Sequence, residues 1–287
     1  MIRLACRRSG LVLILLLSLE LPPCAWAGSL EDGKAAYDKR DYATAIETWR
    51  PLAEQGNAKA QYAMGQLYLQ GAGVPRDLAS ASEWFRKAAE QGYALAQRRL
   101  GDRYDFGQGV PRDVHEAMKW YRKAADQDDA QAQIAIAIIY SSGSEVPRDA
   151  EEASKWLRKA AERGNSAAEA MLGSLYAEGR GIPRDMAAAV SWFEKSAEHG
   201  NAVAASRLAH ILSQGGDGVE QDGVQAYKWY TILITRWPAG PREVLLAGRT
   251  AIAGRLSPDQ IQQAEELARR WKPMPAPETA DWLTGAH

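Results

Sequence analysis

The chain is poor in the residues that most often declare a chemistry. It has two cysteines among 287 residues, Cys6 and Cys24, both ahead of residue 28. A disulfide framework or a cysteine-based zinc site is therefore excluded for the remainder. The four histidines, His115, His199, His210 and His287, stand in no His-Glu-x-x-His spacing, and no metal or cofactor is expected. Ser-x-x-Lys, Lys-Thr-Gly and Gly-x-Ser-x-Gly are all missing, so a serine acyl-enzyme mechanism has no recognisable seat. Adjacent acids such as Glu151-Glu152 face different directions on a helix and read as solvated faces. A net charge of −1 leaves no basic footprint for nucleic acid.

A long hydrophobic run is also lacking. Leu11 to Leu19 is apolar, but Glu20 ends the run at about half the ~20 residues a spanning helix needs. Arg3, Arg7 and Arg8 precede it, and Ala25-Trp26-Ala27 offers small residues at the positions a signal peptidase reads. Residues 1–27 are therefore expected to be a cleaved export signal, with no membrane span left after cleavage. The prolines of Leu21-Pro22-Pro23-Cys24 replace the small residues of a lipoprotein box, which argues against lipidation of Cys24. Without this segment the net charge is about −3.

What the chain does have is a repeat. "GVPRD" stands at Gly73 to Asp77 and again at Gly109 to Asp113, with variants ending at Asp149 and Asp185, each Asp 36 residues after the last. Units align from Ala58, Ala94, Ala130, Ser166 and Ala202, the fifth with one residue inserted in its loop. Each begins with small and apolar residues at helical spacing, read as helix A. Gly65, Gly101, Ala137, Gly173 and Ala209 share one slot in its middle. A mid-helix Gly costs about 1 kcal/mol relative to Ala, so this slot implies a close helix crossing.

The loop then supplies glycines for a tight reversal, a proline, and an aspartate placed to cap helix B. Glu116, Glu152 and Gln225 stand three residues after their caps, as in a capping box. Helix B carries Trp84, Trp120, Trp156, Trp192 and Trp229 at one slot, expected to form the stacked core of the array. Gly92, Gly164 and Gly200 suit left-handed helix ends, with Asp128 in that place in the second unit.

These Ala-x-Ala-Gln, Gly-x-x-Tyr, Gly-x-Gly-Val and Trp-Phe/Tyr-x-Lys-Ala-Ala motifs resemble Sel1-like repeats, relatives of tetratricopeptide repeats, over residues 58–233. The resemblance implies an all-α, right-handed α-solenoid of antiparallel helix pairs. The units would span 58–93, 94–129, 130–165, 166–201 and 202–233. A tetratricopeptide-like hairpin at 28–57 would precede them, capping helices at 234–271 would follow, and 272–287 would be a flexible tail.

The resemblance also implies a concave surface lined by variable helix-A residues: Lys59, Tyr62 and Gln66; Leu95, Arg98 and Asp102; Gln131, Ile134 and Ile138. Ala167, Ala170 and Ser174 continue it, then Val203, Ser206 and His210. Ile134 and Ile138, with Tyr62 and Arg98 beside them, suggest an apolar anchor with a polar rim, the alternative being that curvature buries them. Arg76, Arg112, Arg148 and Arg184 form a possible basic ridge, and Lys87, Lys123, Lys159 and Lys195 a second ladder.

The expectation is a non-enzymatic exported scaffold, an adaptor or regulator in the bacterial envelope and most simply the periplasm, holding a protein or peptide in its groove. Two other classes stay open. One is an enzyme acting on cell-wall material or β-lactams, as in cysteine-rich relatives of the family; the other is a glycan-binding module using the arginine ridge. Full secretion is the alternative destination of the exported chain.

Overall fold

The computed structural model describes residues 29–237, 240–275 and 282–283, and the expected export signal lies outside them. α1 (Leu30–Asp38) and α2 (Tyr42–Glu54) form a first hairpin. Five helix pairs follow: α3 (Ala58–Gln70) with α4 (Leu78–Glu90), α5 (Ala94–Phe106) with α6 (Val114–Ala125), α7 (Ala130–Ser142) with α8 (Ala150–Glu162), α9 (Ser166–Glu178) with α10 (Met186–Glu198), and α11 (Ala202–Gln214) with α12 (Gly223–Arg236). α13 (Arg242–Ala253) and α14 (Pro258–Arg270) end the array. From α1 to α13 each helix packs on the next, while α14 returns to α12. No strand occurs among the described residues, and the molecule is an all-α solenoid of helix pairs.

The repeated loop sets each reversal. Gly71, Gly107, Gly143 and Gly179 end their helices in the left-handed conformation. The backbone N–H of the capping Asp then donates to the Tyr near the end of helix A: Asp77 to Tyr68 O, Asp113 to Tyr104 O, Asp149 to Tyr140 O and Asp185 to Tyr176 O. The Asp side chains accept from the first turn of helix B, as at Glu116 N and Glu152 N. The expected reciprocal half of the capping box takes other partners. Glu116 pairs with Lys119, and Glu152 accepts from Trp156 Nε1. Both halves of a box are present at Ser29/Asp32 and Ser257/Gln260.

The small slot of helix A receives the residue after the repeated Trp. A Cβ built on Gly65 would fall 2.6 Å from Phe85 Cδ1, one on Gly101 2.6 Å from Tyr121 Cδ1, and one on Gly173 2.9 Å from Phe193 Cδ1. Phe85, Tyr121, Leu157 and Phe193 are fully buried. In the third unit the smaller Leu157 stands where Ala137 replaces glycine, conserving the summed volume.

The tryptophans take the expected core place in part: Trp120, Trp156 and Trp229 are buried, one in each apolar cluster of the array. Trp84 and Trp192 are half-buried, and each indole from Trp84 to Trp192 carries the lysine three residues on over its face. The Nζ-to-centroid distances are 4.2 Å at Lys87, 4.0 Å at Lys123, 4.1 Å at Lys159 and 4.2 Å at Lys195. The second ladder is thus a cation–π stack that covers a hydrophobic flank with charge. In the fifth unit Ile232 takes the lysine slot and is buried beneath the terminal helices.

Units are also tied laterally. Arg86, Arg122 and Arg158 on helix B each donate to the Tyr hydroxyl of the following helix A, at Tyr104 (2.8 Å), Tyr140 (2.7 Å) and Tyr176 (2.6 Å). Gln61, Gln97 and Gln133 donate back to Ala53 O, Ala89 O and Ala125 O, bonding the start of each helix A to the end of the preceding helix B. These bonds recur because the residues recur.

Candidate functional site

The helix-A residues separate into two sets. Lys59, Gln131 and Ile138 are exposed, Ile138 by 50%, and Leu95 and Asp102 are half-buried. Tyr62, Gln66, Arg98 and Ile134 are buried. Tyr62 packs edge-on against Tyr93 with centroids 5.3 Å apart, and its hydroxyl accepts from Gln66 Nε2 at 2.8 Å. Arg98 reaches across to the next unit, Nε to Asp129 Oδ2 at 3.1 Å, with both side chains largely buried. Burial alone would lower its pKa, but Asp129 and Asp102 outweigh that and hold it above its ordinary value. Asp129 also caps α7, so Arg98 fastens one unit to the next.

Two consequences follow for the surface. Ile134 and Ile138 do not form one exposed cluster: the stacking of units buries Ile134, and Ile138 remains. Farther along, Val203 is 65% exposed and His210 is exposed on α11, while Ser174 and Ser206 are half-buried. Arg184, Met186, Phe193, Arg207 and His210 line an open cleft of about 360 Å³ between the fourth and fifth pairs, with the Arg207 guanidinium 5.9 Å from the Phe193 ring centroid.

The arginine ridge has a local explanation. Nε of Arg76, Arg112 and Arg184 donates to a carbonyl in the last turn of its own helix A: Leu69 O at 3.2 Å, Asp105 O at 2.8 Å and Ala177 O at 3.0 Å. The outer nitrogens of Arg112 and Arg184 pair with an acid in the next loop, Glu145 and Asp217 respectively. Arg148 is exposed at the corresponding place in the third loop. The repeated arginine closes the turn, and two of the four positive charges meet carboxylates.

Arg103 is a departure from the repeat that its neighbours Arg98 and Asp102 do not announce. Its slot is otherwise apolar, holding Leu67, Ile139, Leu175 and Ile211. Arg103 is buried, its Nε and one terminal nitrogen meet no hydrogen-bond acceptor, and burial lowers its pKa. Glu169 is a second departure, standing in the Gln slot of the fourth unit. It is 1% exposed and lies 2.9 Å from His199 Nδ1, in a place where the first two units join Gln61 to Gln91 and Gln97 to Gln127. Burial raises the Glu169 carboxyl above its usual range, against the pull of the His199 hydrogen bond. Both departures were visible as broken repeat columns.

The C-terminal segment returns to the array. Trp271 Nε1 donates to Glu198 Oε2 at 2.9 Å and Met274 N to Glu198 O at 2.8 Å. Trp282 lies beside Lys59, with Nζ 5.3 Å from its ring centroid, and Leu283 is buried in the apolar cluster of the first units. Within the described residues no group of three metal-ligating side chains converges, and no helix is long and apolar enough to cross a membrane.

Comparison with known proteins agrees with this architecture. The Sel1 repeat model matches at 58–93, 94–129, 130–165, 166–201 and 202–233. A Sel1 repeat protein from Oxalobacter formigenes has a similar structure, with a TM-score of 0.70 and 29% identity over 85% of this chain and 100% of that one. A protective antigen of uropathogenic Escherichia coli displaying an SLR fold matches with 28% identity over 84% of this chain and 67% of that one, at a TM-score of 0.37. No curated protein matches the chain. Five matched units occupying more than half of the sequence, each built as a helix pair and four of them closed by a Pro-Arg-Asp loop, place the chain in the Sel1 repeat family.

Proposed function

We propose that the protein is a scaffold for protein–protein interaction that holds a protein or peptide partner along its helix-A face, acting as an adaptor or regulator in the bacterial cell envelope. Repeats of this family typically serve as interaction scaffolds. The observation that carries the reading is the contrast within helix A. Its framework positions are buried and recur, whereas Lys59, Gln131, Ile138, Val203 and His210 are exposed and differ from unit to unit. A recurrent framework supplies stacking, and a varied exposed face supplies recognition. Ile138 and Val203 give it exposed apolar contact points.

Export to the periplasm belongs to this reading, carried by Arg3, Arg7, Arg8 and the short apolar run before Ala27. A fusion of residues 1–27 to a reporter active only outside the cytoplasm tests it. The partner surface is tested by affinity capture from envelope extract with the wild type, an Ile138→Asp, Val203→Asp variant and an Arg112→Glu, Arg148→Glu variant. Loss of a captured protein in the helix-A variant alone supports the face; loss in the arginine variant alone moves the site to the ridge. Equal capture by all three overturns both placements.

A further inference from the structure

Trp282 and Leu283 are seated on the far end of the molecule from the helices that precede them. Trp282 Nε1 donates to Glu31 Oε1 at 3.4 Å across 251 residues of sequence, and its ring faces Lys59 Nζ. Glu31 belongs to α1 and Lys59 to α3, so the indole bridges the first hairpin and the first repeat at one of the exposed helix-A positions. Leu283 is 1% exposed, in the cluster that includes Trp49, Tyr62 and Phe85. Its φ is +58°, in the left-handed region that leucine rarely adopts. A locally unfavourable backbone is retained here together with a well-buried side chain.

The route between anchors is short. Met274 is bonded to Glu198 at the turn between α10 and α11, and the seven peptide steps from residue 275 to residue 282 span at most about 25 Å. The curvature of the array therefore brings the end of the fourth unit within that distance of the first.

We propose that Trp282 and Leu283 are an intramolecular occupant of the N-terminal end of the helix-A face, and that this end recognises a peptide presenting an aromatic residue followed by an aliphatic one. An external peptide of that kind binds by displacing them. The chemistry of the site matches such a ligand: a buried seat for the aliphatic side chain, a cation over the aromatic ring and a carboxylate for the indole N–H. The polar contacts of Trp282 are open to solvent and weak, while the tether keeps the segment at high local concentration. That combination fills a site without closing it permanently. The inference rests on the helix-A face being a binding surface, but its test needs no natural partner, so partner capture and this test can fail separately.

The test compares the full chain with its Trp282→Ala, Leu283→Ala variant, whose folding is checked by thermal melting. Amide hydrogen exchange should rise in α1 and the first turns of α3 of the variant and stay unchanged in α7 to α10. A fluorescein-labelled peptide with the sequence of residues 278–287 should bind the variant at least about ten-fold more tightly than the wild type, because the tethered competitor is gone. Adding Lys59→Glu to the variant should weaken that binding. Identical exchange in the two proteins would overturn the seating. Equal peptide affinity, or no binding to either, would overturn the recognition. Protection in the wild type that disappears on dilution would assign the contact to a second copy and overturn the intramolecular assignment.

Discussion

Gly65 and Phe85 share one volume: a methyl group on the glycine would sit 2.6 Å from two carbons of the phenyl ring. The same contact recurs at Gly101 with Tyr121 and at Gly173 with Phe193, and the third unit solves it with Ala137 and Leu157. It marks the close crossing of the first, second and fourth helix pairs.

Gly65→Ala gains about 1 kcal/mol of helix propensity but must displace a buried ring, for a net loss of about 2 kcal/mol. Phe85→Leu alone also loses stability by leaving a void. The double variant reproduces the pair found in the third unit and should lose less than the sum of the singles. Urea unfolding of the three variants checks this, and strict additivity would mean that the two residues do not share the space.

Arg103→Leu should stabilise the protein. The substitution removes a buried guanidinium with unmet nitrogens and installs the residue type present at Leu67 and Leu175. A gain of about 2 kcal/mol, read as a Tm higher by about 5 °C, is expected. A lower Tm would show that the guanidinium meets a partner which compensates its burial.

Glu169→Gln addresses the acid in the glutamine column. Because the folded carboxyl has a raised pKa, folding favours its protonated form, and the wild type loses stability as pH rises from the ordinary carboxylate range through the raised value. Glutamine bears no charge and can donate to the helix-B carbonyl as Gln61, Gln97 and Gln133 do. The variant should therefore be more stable than the wild type at pH 7, with the difference shrinking toward pH 4. Melts at the two pH values decide it, and a constant difference would remove the titration from the explanation.

Ile134→Asp and Ile138→Asp should separate sharply although the residues lie one helical turn apart. Ile134 is 7% exposed, and a carboxylate there should cost about 3 kcal/mol or more, whereas Ile138 is half exposed and should tolerate the change within about 0.5 kcal/mol. Thermal melts of both proteins test the burial directly, and only the second variant is suited to partner capture.

Much of this was legible in the chain because it depends on residues close in sequence. Asp77 and its successors cap the helix that begins at the next residue, and the loop glycines end the helix just before. Gly65 announced a close crossing because a glycine inside a helix is otherwise unfavourable. The repeat period supplied the number of units, since each pair must stack on the next to bury its apolar face. The residue that fills that crossing, Phe85, was not specified: adjacent positions on helix B differ by about 100° in direction, and sequence spacing alone does not say which one faces helix A.

The rest was decided by tertiary structure. Whether Ile134 or Ile138 meets water depends on how the neighbouring units stack against α7, and a helical period treats the two residues alike. The burial of Arg103, the pairing of Glu169 with His199, and the outward pairing of Arg112 and Arg184 each join residues of different elements. Trp282 and Leu283 are the extreme case. Nothing near them in the sequence specifies Glu31 or Lys59, and only the curvature accumulated over the stacked units brings those residues within reach.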